Sequence, residues 1–268
     1  MNPSNSNLRR RGNRQGQKLL LIHGWAHDQS IFNNLCQALE SDYNLYSFDR
    51  LGYGRSKLAP NLAAEHQHIN QLMGAIDDDP VAVLGFSQGA RIASRLASSY
   101  PHRVRSLISC GGIMDGYAPR ATDPHAINLE RLKRFAKTGD LAGLRQDWLQ
   151  HYYCTAGMNP KATEKLRHIT ENYQARDLLT PAGHDFNFPD NTFSRLSQSQ
   201  LPTFFVNGEY ESPTRCELAH SYMTENSHSS LWQISGAGHM AVLSHPQQVA
   251  EGIRTFLNQT NRESTRQS

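Results

Sequence analysis

An apolar run, Val81-Ala82-Val83-Leu84, leads directly into Gly85-Phe86-Ser87-Gln88-Gly89, and a helical stretch from Ala90 to Ser99 follows at once. This G-x-S-x-G segment therefore reads as strand, sharp turn and helix, with Ser87 at the apex. Two glycines flank the serine because such a turn is strained and neighbouring backbone passes close, leaving no room for a Cβ. The motif alone occurs by chance in surface turns. Its placement between a strand and an Ala-rich helix points to a nucleophile lifted to the edge of a sheet.

A serine nucleophile calls for an acid and a base, expected in that chain order after it. Among the 13 histidines, His239 stands out by position. It ends the glycine-rich stretch Ser235-Gly236-Ala237-Gly238-His239 after the strand-like run Leu231 to Ile234. The acid should follow the preceding strand, Thr203 to Val206, where Glu209 and Glu211 both stand. Asp115, after a strand ending near Cys110, is a further alternative.

Strand patterns near residues 18–22, 45–49, 81–86 and 104–110 alternate with helical patterns near 31–41, 62–77 and 88–99. Such alternation implies right-handed βαβ units and a mostly parallel sheet. From Gly111 to about Gln200 no strand pattern occurs, and helices are expected at 125–138, 140–153 and 160–176, the second opened by Asp140 as N-cap. Strands resume at Thr203 and Leu231.

These segments together resemble the α/β-hydrolases with a helical cap, over roughly residues 18 to 257. His23-Gly24-Trp25 after Leu19 to Ile22 matches that family's oxyanion loop, and Asp49-Arg50-Leu51-Gly52-Tyr53-Gly54-Arg55-Ser56 matches its D-x-x-G-x-G-x-S turn. The resemblance implies a fold in which a mostly parallel sheet is flanked by helices, with the cap, residues 111–200, inserted after the family's sixth strand. The core is then residues 18–110 and 201–257, between a flexible polar segment 1–17 and a polar tail 258–268. In the family's acid turn the carboxylate stands three residues after a glycine; here that is Glu211, one methylene longer than the usual Asp, with Glu209 at the wrong offset. Ser87, Glu211 and His239 are thus the expected catalytic triad, and the backbone N–H groups of Trp25 and Gln88 the expected oxyanion donors, Gln88 at a helix N-terminus that already favours negative charge. No metal and no organic cofactor is implied. Ser87 excludes the dehalogenases and epoxide hydrolases of this fold, which need a carboxylate at the elbow.

Arg131, Lys133, Arg134, Lys137 and Arg145 crowd the first two expected cap helices beside the apolar Leu129, Leu132, Phe135, Leu141, Leu144 and Trp148. A solvated basic face over a packed stripe explains this, and so does a landing site for an acidic acyl carrier protein. Among capped hydrolases the chain resembles the pimeloyl-carrier-protein methyl esterases of biotin synthesis, through Leu21 to Trp25, the basic cap helices and Gly238 to Pro246. That resemblance makes Trp25, Arg131, Arg134, Arg145 and Trp148 candidate substrate-binding residues. Arg91, one turn after the nucleophile, echoes a Ser-x-Gly-Gly-Arg segment of menaquinone-pathway lyases, although Ala90 replaces a glycine; an ion pair with a neighbouring loop is the plainer role. Carbon–carbon bond hydrolases and non-catalytic ligand-binding homologues remain as alternatives.

The bulk properties suit one enzyme domain. The net charge of +3 is too slight to argue for nucleic acid. No run approaches the ~20 apolar residues of a membrane span, and mean hydropathy is −0.62. Four scattered cysteines without C-x-x-C spacing suggest reduced thiols and a cytoplasmic location. Arg9, Arg10, Arg11 and Arg14 make the N-terminal stretch a poor match for the usual first β-hairpin.

Overall fold

The computed structural model describes residues 3–76, 79–120, 122–184 and 191–267. Residue 77 at the end of one expected helix, and 121 and 185–190 within the expected cap, lie outside the described residues.

Seven strands form one sheet in the order β1-β3-β2-β4-β5-β6-β7: β1 (Arg9–Gly12), β2 (Gln17–Ile22), β3 (Tyr43–Ser47), β4 (Val81–Phe86), β5 (Val104–Cys110), β6 (Thr203–Gly208) and β7 (Ser229–Ile234). Only β1 runs antiparallel, with Arg9 opposite Ser47 and Gly12 opposite Asn44. The helices are α1 (Asn33–Leu39), α2 (Glu65–Met73), α3 (Gln88–Ser99), α4 (Leu129–Thr138), α5 (Leu141–Leu149), α6 (Tyr152–Thr155), α7 (Pro160–Glu171), α8 (Thr192–Ser197), α9 (Pro213–Glu225), α10 (Ala241–Ser244) and α11 (Pro246–Gln267).

Central strands are largely buried and rich in apolar residues, β4 throughout, because helices cover both faces, as parallel sheets require. Alternate residues go to opposite sides. Leu19, Leu21, Ala82, Leu84, Ile108 and Val206 pack with Leu35 of α1 and Ile253 of α11. Leu20, Ile22, Val83, Leu107 and Phe205 pack with Ile69 of α2, Ile92 and Leu96 of α3, and Leu218 of α9. Each fully buried side chain of this size contributes roughly 1.5–3 kcal/mol. Helices α4 to α7 intervene between β5 and β6 as the cap, and their buried residues, Leu132, Leu144, Trp148 and Leu166, join the α1/α11 cluster.

Both chain ends differ from expectation. The first residues are not a loose tail: β1 adds a strand to the sheet edge, Arg11 pairs with Glu40 at 2.9 Å, Arg10 Nε donates to Asn44 Oδ1 at 2.9 Å, and Ser6 Oγ lies 2.7 Å from His68 Nε2. Every residue of β1 is exposed, so no apolar alternation marks it in the sequence; charged residues on such an edge discourage pairing with other chains. At the other end, helix α11 continues through the expected tail to Gln267. No proline follows Pro246 to stop it, and the one later glycine, Gly252, lies within the helix against Trp232 and Phe204. The expected helix 140–153 is broken: α5 ends at Leu149, and His151, extended at φ −65° and ψ 147°, caps the short α6.

Candidate active site

Ser87 occupies the turn between β4 and α3 with φ 54° and ψ −120°, a backbone region that side chains rarely adopt. Its two glycines are there for space. A Cβ on Gly85 would lie 2.3 Å from Ala90 Cα, and one on Gly89 would lie 2.1 Å from the Ile22 carbonyl oxygen. The turn can therefore be this sharp only with glycine at both positions.

The structure brings Ser87, His239 and Glu211 into one hydrogen-bonded line. Ser87 Oγ lies 2.9 Å from His239 Nε2, and His239 Nδ1 lies 2.8 Å from Glu211 Oε2. The other carboxylate oxygen, Oε1, accepts the Ser212 N–H at 2.8 Å and lies 3.9 Å from Arg215 Nε. Burial alone would raise the Glu211 pKa; the adjacent His239 and Arg215, with the Ser212 amide, outweigh it and hold the carboxyl below its ordinary value. Of the two other carboxylates open at the level of sequence, Glu209 is exposed and accepts from Gly236 N–H at 2.7 Å and Ser235 Oγ at 3.1 Å, bracing the loop that carries His239. Asp115 faces arginines instead, with Arg91 Nε at 3.0 Å and Arg95 Nε at 2.5 Å.

Beside Ser87 opens a cavity of about 230 Å³ lined by Trp25, Ser87, Gln88, Ile113, Ile127, Leu129 and Arg215. Gln88 is the first residue of α3, so its N–H belongs to the unpaired donors of a helix start. Trp25 follows Gly24, where a Cβ would stand 3.2 Å from Ser87 Cβ; the two loops touch. The remaining lining is largely apolar and comes from the β5-to-cap segment and the start of α4. Such a hollow suits a short acyl chain better than a charged head group.

The expected substrate-binding residues fall into separate places. Trp25 lines the cavity, and Trp148 packs edge-on behind it with ring centroids 4.8 Å apart. Arg131 and Arg134 lie away from the serine and, with Phe135, Thr138 and Asp140, line a second hollow on the cap surface; Arg131 also pairs with Asp147 at 2.5 Å. Arg145 points into the cap and donates to the Tyr173 carbonyl from Nε at 3.1 Å and Nη2 at 2.8 Å, a bond that ties α5 to the end of α7. Arg91 makes its ion pair with Asp115 and is absent from the lining of the serine cavity.

Sequence reasoning missed Arg215, Asp123 and Tyr153. Arg215, in the first turn of α9 and four residues after Glu211, donates from Nε to the Gly111 carbonyl at 3.0 Å, and bonds Asp123 and the Tyr153 hydroxyl through Nη1. Its guanidinium also covers the Tyr153 ring at 4.5 Å. Tyr153 in turn lies 4.5 Å, centroid to centroid, from His239. The Ser212-Pro213 helix start with an arginine one turn on was the available signal. No motif connects residues 123 and 153 to it.

Among the described residues no helix is long and apolar enough to cross a membrane.

Comparison with known proteins places the chain by family and fold. Residues 18–246 match the family model for the alpha/beta hydrolase fold. A pimeloyl-(acyl-carrier protein) methyl ester esterase of Aeromonas hydrophila is 35% identical over 91% of this chain and 96% of its own. One from Xylella fastidiosa is 27% identical over 90% and 95%. Among solved structures, MenH from S. aureus superposes with a TM-score of 0.75 at 18% identity, covering 95% of this chain and 98% of that one. A carboxylesterase of the Thaumarchaeon Nitrososphaera gargenis gives 0.78 at 18% identity, over 96% and 95%. At those identities the structures speak for the fold alone, whereas the matched model spans most of the chain. With the serine turn, the sheet order and the inserted cap in place, the chain belongs to the alpha/beta hydrolase fold family and is one of its hydrolases.

Proposed function

We propose that the chain is a carboxylic-ester hydrolase working through an acyl-enzyme on Ser87, and that its substrate is a pimeloyl-(acyl-carrier protein) methyl ester. The observation that carries the chemical part is the Ser87–His239–Glu211 line at 2.9 and 2.8 Å, opening on an apolar cavity. Support for the substrate comes from the Aeromonas hydrophila relative, so named and 35% identical over nearly the whole chain.

Ser87 Oγ attacks the ester carbonyl carbon while His239 Nε2 takes its proton. Glu211 keeps the remaining ring proton on Nδ1 and stabilises the imidazolium. The developing oxyanion accepts from the Gln88 and Trp25 backbone N–H groups, each such donor contributing ~10²–10³ in rate. Collapse breaks the C–O bond, His239 returns the proton to the leaving alkoxide, and methanol departs. Water then attacks the acyl-enzyme by the same route, releasing the free acid and restoring Ser87. No other group is needed for the proton and electron balance.

The cap hollow of Arg131 and Arg134, with Phe135, is the docking site on this reading: two exposed guanidinium groups beside an aromatic ring suit an acidic carrier surface. Long-range attraction of this kind speeds encounter and fades with salt. Arg145, bound to the Tyr173 carbonyl, supports the cap instead of the carrier. The ion pair of Arg91 with Asp115 favours ester hydrolysis over the lyase alternative, in which that arginine would have to meet a substrate carboxylate.

Methanol release from a methyl-pimeloyl carrier protein, at low and high salt, tests both parts. Wild type should turn over, more slowly at high salt, and Ser87→Ala should be inactive. Substantial turnover in Ser87→Ala sinks the mechanism. Cleavage of short nitrophenyl esters without cleavage of the carrier-bound ester sinks the substrate.

A further inference from the structure

One carboxylate outside the triad is fully inside the protein and collects three donors, two of them from distant parts of the chain. Asp177, 1% exposed, lies in the turn where the cap returns to the core after α7. Its Oδ2 accepts the Trp25 indole Nε1–H at 2.7 Å and the Tyr53 hydroxyl at 3.0 Å, and its Oδ1 accepts the Tyr173 hydroxyl at 2.7 Å. The Tyr53 hydroxyl also lies 3.4 Å from Gln88 Oε1. A hydroxyl has one hydrogen, and the shorter contact takes it, leaving Gln88 Oε1 to Arg50 Nη2 at 2.8 Å.

Burying a carboxylate among aromatic rings is expensive, and an apolar side chain of the same volume would serve packing alone at least as well. What the carboxylate adds is direction. In the mechanism proposed above Trp25 supplies a backbone N–H to the developing oxyanion, and its neighbour Ala26 sits at φ 58°, a strained conformation for a residue with a Cβ. Such a conformation persists only where the surroundings over-determine it. The indole is fixed edge-on between Trp148, at 4.8 Å, and Tyr173, at 5.4 Å, and the Asp177 bond sets its rotation.

We propose that Asp177 is a positioning residue through which the cap holds the Trp25 oxyanion donor in its working place. Oxyanion stabilisation in this protein is then set from the cap as well as from the elbow helix. The inference rests on the ester-hydrolase reading above, so its test begins from a wild type whose nitrophenyl-butyrate turnover is lost in Ser87→Ala. Were that control to fail, the reading would fall; the outcomes below judge Asp177 only.

Asp177→Asn keeps the shape and turns one acceptor into a donor that meets an N–H or O–H. Trp25→Phe keeps an aromatic side chain and the backbone N–H and removes the indole donor. Each should lower kcat on nitrophenyl butyrate by about 10- to 100-fold, below the loss of a whole oxyanion donor, with KM changed less than about threefold. The inhibition constant of a trifluoromethyl ketone, whose tetrahedral oxyanion takes the same donors, should weaken by the same factor. The double variant should lose no more than the worse single one, because both act through one bond. Losses that multiply, or kcat within twofold of wild type in both single variants, overturn the proposal; so does a KM rise without a kcat fall. If Asp177→Asn fails to fold, Trp25→Phe decides alone, since it leaves Asp177 its two tyrosine donors.

Discussion

Replacing Glu211 by Gln tests the site most sharply, because the outcome follows from which way the amide turns. In the native site Oε1 accepts the Ser212 N–H at 2.8 Å and lies 3.9 Å from Arg215 Nε, whose own hydrogen goes to the Gly111 carbonyl, and Oε2 faces His239 Nδ1 at 2.8 Å. A glutamine has a single oxygen to offer. Turned towards His239, it would set its NH₂ against the Ser212 amide and a guanidinium, in a place sealed from water. Turned the other way, its oxygen accepts the Ser212 N–H and faces the guanidinium, and its NH₂ is presented to His239 Nδ1. The second arrangement wins, since an unmet donor beside a cation is the costlier fault. The imidazole must then accept at Nδ1 and carry its proton on Nε2, the nitrogen 2.9 Å from Ser87 Oγ, where a base is required. A wrong tautomer of this kind costs on the order of 10³–10⁴ in kcat, about 4–5.4 kcal/mol at 1.36 kcal/mol per tenfold. Glu211→Asp keeps the charge and falls about 1.5 Å short, for which a loss of about 10- to 100-fold is expected. Initial rates on a nitrophenyl ester, with Ser87→Ala as background and circular dichroism as a fold control, give both numbers. A folded Glu211→Gln protein whose kcat stays within tenfold of wild type refutes the tautomer argument and returns the acid role to another carboxylate.

Two further outcomes are expected. Gly111 has φ 54°, and a Cβ there would stand 2.6 Å from Glu211 Oε2 and 2.9 Å from His239 Nδ1; Gly111→Ala should therefore wedge acid from base and lower kcat by about 100-fold or more, read by the same ester assay. His27 is buried with both ring nitrogens unpartnered among the described residues, and burial, then the neighbouring His239 and Arg50, push its pKa down to about 3. Between that value and the ordinary 6.5 the unfolded chain binds a proton that the folded one refuses, so stability is full above about 6.5 and is lost as pH falls, by up to about 1.4 kcal/mol per pH unit from this one group. Urea unfolding at pH 7 and pH 5 should show His27→Phe losing about 2 kcal/mol less than wild type over that interval; an unchanged loss refutes the assignment. His23, pushed down by burial and then by Arg50, keeps its own share of the slope.

Much of this protein is written locally. The strand before Ser87, the two glycines around it and the helix after it need only a short window, because the backbone strain and close approach that define the turn arise between near neighbours. The alternation of apolar strands and helices fixed the parallel sheet, and the strandless interval from Gly111 to Gln200 located the inserted helices, since burial on both faces leaves its mark on every central strand. What stayed hidden has no local mark. Strand β1 is exposed at every position and owes its place to β3. The choice of Glu211 over Glu209 depends on where a loop nearly thirty residues later carries His239: one carboxylate reaches the ring and the other braces the loop backbone. Arg145, basic and on a cap helix like Arg131, turns inward because a carbonyl at the end of α7 lies within its reach. Asp177 gathers Trp25, Tyr53 and Tyr173, and Arg215 gathers Gly111, Asp123 and Tyr153. Sequence patterns record what a residue's own segment needs; hydrogen-bond partners drawn from distant segments exist only once the chain has closed, so the tertiary structure alone decides them.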